Sequence, residues 1–273
     1  MMNSASMASL EGYCSDAYVI SYKENTSQLE DALLREGFAP VRVQTDYSPR
    51  QLGFSAAYRC LINHANAWHL AKNSNRPVAI FEADFVPVRG LGSLPIPCPE
   101  DQLDNALIYL YACGPQFWDL SRSNVSRGHA GGMVAYVVSP RVAALLLVFY
   151  DEQVRANPQG AYSTWDAGIG YWLKSRNVQS YLPKRHYGEH GGLWNCEHSR
   201  IGLRRPHRAG VMQGRLAFLP AYAHGSHARY FLIRFQSYVY GLCRLLSGRL
   251  IAPHDARRMG LGPMLGFCVG RFI

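Results

Sequence analysis

The chain has 273 residues, of which 48% are hydrophobic and 17% are charged, and its formal net charge is +9. This composition excludes an intrinsically disordered protein, because it supplies enough apolar side chains for a large core. The seven cysteines form no repeated C-x-x-C pair, which favours reduced thiols over a disulfide framework. The sequence shows neither an apolar run of about 18 residues nor a signal-peptide pattern, so we expect a cytoplasmic protein.

Predicted strands and helices alternate after a first segment, residues 1–15, that we expect to be disordered. Residues 17–22 are typical of a strand and residues 27–36 of a helix, with Gly37 where a helix C′ residue belongs. A second strand and an amphipathic helix over residues 55–71 follow. This order predicts an α/β fold in which helices flank a mostly parallel central sheet.

Two acids, Glu82 and Asp84, interrupt an apolar run over residues 78–87 that is typical of a buried strand. Side chains alternate along a strand, so both acids would project to the same side. Because unpaired buried carboxylates are costly, we expect the strand end to present them to Mn²⁺ or Mg²⁺, which prefer oxygen ligands. Ligands bind at this carboxyl edge of such sheets. The alternative is a strand end whose acids face water or pair with arginines.

The helix and strand around these acids resemble glycosyltransferase family 25, which includes lipopolysaccharide and lipooligosaccharide biosynthesis transferases. The resemblance is carried by Asn63-His64 and Trp68 in the helix, by the strand ending Glu82-Ala83-Asp84, and by the glycine-led residues 128–139. It covers residues 16 to 190. Asn63 departs from the family's usual Ser, and Ala83 replaces the middle Asp of an acidic triplet, whereas the first and third acids of that triplet are kept.

The resemblance implies a GT-A-like catalytic domain over residues 16–199 with hexosyltransferase activity. In such enzymes a divalent ion on the acidic motif holds the diphosphate of a nucleotide-sugar donor, expected here to be a UDP-sugar such as UDP-galactose. The implied acceptor is a glycan or lipid-linked glycan of lipopolysaccharide or a related surface polysaccharide. His64 becomes a substrate-binding candidate through the resemblance alone, since a histidine beside apolar helix positions is equally typical of a satisfied core residue.

Asp166 is the candidate catalytic base, and it lies where the family carries a further acid. An inverting sugar transfer requires a base within hydrogen-bond reach of the acceptor hydroxyl. Trp165 belongs to an aromatic-rich stretch around Asp166, and we expect its ring to bind substrate. Alternatively, Asp166 caps a helix over residues 167–174, because Asp is a preferred N-cap residue; the two roles are compatible.

A glycine-rich segment over residues 187–198 contains two further candidate ligands, His190 and His198. Loops on a rigid scaffold often carry binding residues. We expect His190 to contact the donor or the metal and His198 to complete the metal shell. The alternative for each is an ordinary surface or hydrogen-bonded histidine.

The charge is concentrated in residues 200–273, an Arg-rich C-terminal extension with twelve Arg, no Lys and a single acid, Asp255. Within it, residues 230–246 are apolar and aromatic with interspersed arginines, a pattern typical of a segment that lies on an anionic membrane. We therefore expect peripheral association with the inner face of the cytoplasmic membrane. A helix packed on the catalytic domain is the main alternative; nucleic-acid binding is not expected, because no nucleic-acid-binding motif accompanies the charge.

Two other classes of function stay open from sequence. One is a metal-dependent phosphate-bond hydrolase or nucleotidyltransferase that uses the same acidic pair. The other is a non-catalytic, membrane-associated relative whose altered acidic motif no longer holds a metal.

Overall fold

The computed structural model describes residues 8–120, 125–193 and 208–273, and these form an α/β fold. The strands are β1 (Asp16–Ser21), β2 (Ala39–Gln44), β3 (Val78–Glu82), β4 (Phe85–Pro87), β5 (Ala106–Tyr109), β6 (Cys113–Leu120), β7 (Val125–Gly131), β8 (Ala135–Val138), β9 (Gln179–Pro183) and β10 (Gly188–His190). The helices are α1 (Leu10–Tyr13), α2 (Ser27–Arg35), α3 (Pro49–Leu52), α4 (Ala56–Lys72), α5 (Pro140–Ala156), α6 (Trp165–Lys174), α7 (His227–Leu246), α8 (Pro253–Met259) and α9 (Leu261–Phe272).

Within the described residues, the central sheet has eight strands in the order β2-β1-β3-β8-β5-β9-β7-β6. Six of them (β1, β2, β3, β5, β6 and β9) run in one direction, while β7 and β8 run in the other. The predicted α/β class with a large central sheet is therefore confirmed. The sheet is nevertheless mixed, because β8 is antiparallel to both of its neighbours, β3 and β5.

The early elements follow the sequence pattern closely. Helix α2 ends as predicted, with Gly37 at φ +86° directly after the C-cap residue Glu36. The Gly37 N–H donates to the Leu34 carbonyl and the Phe38 N–H to the Leu33 carbonyl, each at 3.1 Å. These two bonds define the Schellman motif that favours glycine at this position.

The N-terminal segment is folded from the first residues that the structure describes. Leu10 and Cys14 are fully buried against the sheet, and Leu10 begins the short helix α1. The expectation of disorder over residues 1–15 therefore does not apply to residues 8–15, and residues 1–7 lie outside the described residues.

The C-terminal region packs onto the sheet. Leu250, Ile251 and Phe267 are buried in the same hydrophobic cluster as the inward side of α4 and α5. The ring of Phe267 lies 4.7 Å from that of Phe117 on β6, and the Phe117 N–H donates to the Leu250 carbonyl at 2.8 Å. Packing, the alternative that the sequence left open for this region, therefore accounts for its inward side.

We find no helix among the described residues with the length and apolar character needed to cross a membrane.

Candidate functional site

The two acids of the motif meet at the carboxyl end of β3, although not through strand alternation. Glu82 is the last residue of β3, whereas Asp84 lies in a turn before β4 begins at Phe85. The prediction that one strand carries both acids is therefore wrong, because the chain turns between them. Their carboxylates nonetheless lie together, and ligand atoms of Glu82, Asp84 and His190 all fall within 4.8 Å of one another.

The donor set of this cluster fits a divalent cation. Asp84 Oδ2 lies 3.0 Å from His190 Nε2, whereas Asp84 Oδ1 is buried and has no hydrogen-bond partner among the described residues. A buried carboxylate oxygen without a partner is costly unless a cation or hydrogen-bond donor satisfies it. Two carboxylates with one imidazole suit Mn²⁺ better than Mg²⁺, because Mg²⁺ favours oxygen ligands alone.

Glycines allow the His190 loop to lie directly over Asp84. The Gly191 N–H donates to the Asp84 carbonyl at 2.8 Å. A Cβ atom on Gly192 would lie 2.0 Å from Asp84 Oδ2, so a side chain there would force that carboxylate to move. The glycines that the sequence analysis noted in this segment are thus required by close backbone approach.

Asp84 and His190 form a partly buried pair whose charges support each other. Burial disfavours both charged forms. The His190 charge and its hydrogen bond, with a contribution from Arg208, still hold the Asp84 pKa below its ordinary value. Burial lowers the His190 pKa, but the carboxylates of Asp84 and Glu82 outweigh it and raise that pKa to about 9. At neutral pH His190 is therefore protonated, and its positive charge offsets the two carboxylates as a bound cation would.

His64 orients Glu82 through a chain of buried hydrogen bonds. Trp68 Nε1 donates to the Tyr136 hydroxyl at 2.7 Å, and that hydroxyl lies 2.8 Å from His64 Nδ1. Because indole only donates, the hydroxyl hydrogen is free to point at Nδ1, which leaves the His64 proton on Nε2, 3.1 Å from Glu82 Oε1. His64 has no solvent exposure and both ring nitrogens are engaged, which matches the satisfied core histidine of the sequence alternatives.

Cys60 also contacts Glu82, with its Sγ 3.7 Å from Oε1. Burial raises the pKa of the Cys60 thiol well above its ordinary value, and the nearby acids raise it further. The protonated thiol donates weakly to Glu82, so the Cys60, His64 and Glu82 group is a poor thiolate site.

Asp166 lies in the first turn of α6, near enough to Glu82 for the two negative charges to interact. Its Oδ1 accepts a hydrogen bond from the Ala167 N–H at 2.9 Å, and the same N–H also donates to the Thr164 carbonyl at 3.0 Å. Helix α6 begins at Trp165 and its N-cap is Thr164, so Asp166 is not the cap residue. Burial raises the Asp166 pKa, and the negative charge of Glu82 raises it further.

Trp165 forms part of the wall behind the site. Only 5% of its surface is exposed, and its Nε1 donates to the Ala57 carbonyl at 2.9 Å. Its ring packs 5.3 Å from the His64 ring. The structure thus brings Trp165 to the site but covers its faces with other side chains.

His198, the expected further metal ligand, lies outside the described residues.

Three residues that sequence reasoning missed hold the His190 loop in place. Glu189 is fully buried, accepts the Ala209 N–H at 2.9 Å, and forms an ion pair with Arg234 of α7. Arg208 donates to the carbonyls of His190 and Gly192. No local pattern could have found these contacts, because the partners are far apart in the chain.

Comparison of the chain with protein-family models gives no match, and a search of curated proteins gives none either.

Proposed function

We propose that this protein is a metal-dependent glycosyltransferase that moves a hexose from a UDP-sugar to a hydroxyl of a glycan acceptor in lipopolysaccharide or related surface-polysaccharide biosynthesis. The observation that carries the proposal is the meeting of Glu82, Asp84 and His190 at the carboxyl end of β3, with Asp166 within electrostatic reach of Glu82. The sugar and acceptor classes rest on the motif resemblance given above.

Each side chain of the cluster has a distinct part in this proposal. Glu82, Asp84 and His190 would hold the ion, and His64 keeps the Glu82 carboxylate in one orientation. A bound Mn²⁺ supplies Lewis-acid stabilisation of the negative charge on a departing diphosphate. Asp166 accepts the proton of the acceptor hydroxyl. Its raised pKa makes the ionised carboxylate a stronger base than an exposed aspartate.

Calorimetry with Mn²⁺ and UDP tests the metal assignment. We expect UDP to bind in the presence of Mn²⁺, and Glu82→Gln or Asp84→Asn to weaken this binding by about tenfold or more. Asp151→Asn, which changes an exposed carboxylate on α5, is the matched control and should bind normally. UDP binding that is indifferent to both site substitutions would overturn the assignment.

Product analysis separates the proposed transfer from the other functions. Incubation with UDP-hexoses, Mn²⁺ and a glycan acceptor should yield UDP and an extended glycan, and Asp166→Asn should abolish transfer while leaving Mn²⁺–UDP binding intact. Production of UMP without sugar transfer would identify a phosphate-bond hydrolase or nucleotidyltransferase. Intact donor across a panel of nucleotide-sugars, with UDP binding retained, would identify a non-catalytic protein.

A further inference from the structure

Two C-terminal helices turn an uncharged side toward solvent. On α7, Phe231, Phe235 and Val239 recur every four residues, and Phe235 is 67% exposed. On α9, Leu261, Leu265 and Val269 recur in the same way, and Leu261 is 79% exposed. We call these six residues the C-terminal apolar face.

Three of the four arginines within these helices point the other way, and the fourth, Arg229, is exposed in the first turn of α7. Arg234 is paired with buried Glu189, and Arg244 donates to the carbonyls of Gly114 and Pro115 at 3.1 and 3.0 Å. Arg271, the one charged residue of α9, is 2% exposed and donates to the Lys184 carbonyl. An ordinary surface helix buries its apolar stripe and exposes its charges, so α7, whose buried residues are Ser237 and Gly241, departs from this arrangement. Helix α9 buries Phe267 and exposes a second apolar side as well.

The two halves of the face belong to neighbouring helices. The Tyr238 hydroxyl of α7 donates to the Phe272 carbonyl of α9 at 3.1 Å, and their rings are 5.9 Å apart. Exposed large apolar side chains scattered singly are ordinary, whereas a set repeated along adjacent helices marks an interaction surface.

The surrounding charges indicate what this surface binds. Arg229, Arg249, Arg257 and Arg258 are exposed on or beside these helices. Asp255, the one acid in residues 208–273, is buried. A second copy of the same surface would bring cations against cations, which disfavours a symmetric dimer. Anionic lipid headgroups complement the arginines, and the acyl region takes up the apolar side chains.

We propose that the C-terminal apolar face docks on the surface of an anionic lipid bilayer, with α7 and α9 lying in the plane of the interface. This inference rests on the surface alone and stands whether or not the proposed transferase activity is correct. In this arrangement Arg234, Arg244 and Arg271 contact Glu189 and backbone carbonyls within the protein. The apolar side chains and the exposed arginines contact the lipid.

Vesicle flotation with the full chain tests the proposal. The C-terminal region contributes Leu250, Ile251 and Phe267 to the core, so a truncated chain is unsuitable. We expect the protein to float with phosphatidylcholine–phosphatidylglycerol vesicles and much less with phosphatidylcholine alone. Phe235→Gln combined with Leu265→Gln should weaken partitioning by about tenfold or more, because two large apolar side chains are lost.

Two further variants provide a control outside the face and a test of the arginine contribution. Leu34→Gln removes a 58% exposed leucine on α2, outside the face, and should float like the parent chain. Arg257→Gln combined with Arg258→Gln should weaken binding to anionic vesicles, with the difference shrinking as salt is added. Circular dichroism of each variant verifies the fold.

Equal flotation of the parent and the Phe235→Gln, Leu265→Gln variant would overturn the proposal. So would failure of the folded parent chain to bind anionic vesicles. A dimer in sedimentation equilibrium that this double variant dissociates, without any vesicle binding, would identify a second copy as the occupant instead.

Discussion

Arg234 of α7 forms a buried ion pair with Glu189, the residue directly before His190 in the candidate metal site. The Glu189 side chain is fully buried and that of Arg234 is 13% exposed. Arg234 also donates to the Ala209 carbonyl at 2.7 Å. Arg234 of the C-terminal region thus holds the backbone next to His190 in place.

Removal of Arg234 should destabilise the fold strongly. In Arg234→Met the Glu189 charge is left buried without its partner, which costs about 3–5 kcal/mol in the free energy of unfolding. Urea denaturation measures this change. The double variant with Glu189→Gln should recover a large part of the loss, since no buried charge then stands alone.

The exposed ion pair between Arg42 and Glu30 provides the control for Arg234. Arg42→Met should have little effect on unfolding, because water screens that pair. If Arg234→Met were as mild as Arg42→Met, the buried pair would not hold the loop.

Gly192→Ala should displace Asp84 while leaving the fold intact. The added Cβ would lie 2.0 Å from Asp84 Oδ2, and the end of a side chain moves more readily than backbone. We expect Mn²⁺ affinity to fall by about tenfold or more, as seen when groups that position a metal ligand are lost. Calorimetry measures the affinity and thermal unfolding verifies the fold.

Gly168→Ala on α6 is the matched control, because nothing lies within 4 Å of its added Cβ. Alanine is favoured over glycine inside a helix, so this variant should retain Mn²⁺ affinity and gain slight stability. Unchanged Mn²⁺ binding in Gly192→Ala would show that Asp84 is not a ligand.

Tyr136→Phe should release His64 from its single tautomer. The substitution leaves Trp68 Nε1 and His64 Nδ1 without their shared partner, which costs about 1–3 kcal/mol of stability. Nitrogen-15 NMR of the imidazole should show the Nε2–H tautomer in the parent chain and a mixture in the variant.

Tyr109→Phe gives the comparison for Tyr136. The Tyr109 hydroxyl is buried and has no hydrogen-bond partner among the described residues, so its loss should not destabilise the protein. An unchanged His64 spectrum in Tyr136→Phe would contradict the proposed chain of hydrogen bonds.

The pH dependence of His190 should depend on Asp84. In the metal-free protein an NMR titration should give His190 a pKa of about 9. In Asp84→Asn the largest attraction is lost while the burial persists and only Glu82 still favours the charged form, so we expect the His190 pKa to drop toward 6.5, its ordinary value. A midpoint that stays near 9 in this variant would contradict the pairing.

The same pair sets the direction of two further pH effects. Folding raises the His190 pKa, so the charge on His190 stabilises the metal-free fold fully below pH 6.5 for as long as Asp84 stays ionised, and this contribution is lost as the pH rises through about 9. Mn²⁺ must displace the His190 proton, so Mn²⁺ affinity should increase between pH 7 and 9.

Local patterns predicted the early part of the fold well. Helix α2 with Gly37, helix α4 and strand β3 all follow from apolar spacing and end signals. The antiparallel insertion of β8 between β3 and β5 was not predictable in this way, because strand order depends on contacts between distant segments.

The candidate site was predictable as a set of residues but not as a geometry. The sequence singled out Glu82, Asp84 and His190 as candidates, and their side chains lie together. The turn at Asp84 and the support from Glu189 and Arg234 depend on tertiary structure. Composition marked residues 230–246 as an apolar, aromatic segment with interspersed arginines, but it did not show which side faces the core. The usual rule assigns the apolar side inward, and α7 reverses it.

The hold of Arg208 on the carbonyls of His190 and Gly192 has a consequence for biosynthesis. When residue 192 is added to the growing chain, Arg208 and Arg234 have not yet been made. The nascent chain therefore carries Glu82 and Asp84 long before it can fix the imidazole beside them, and the site is completed only after Arg234 has been made.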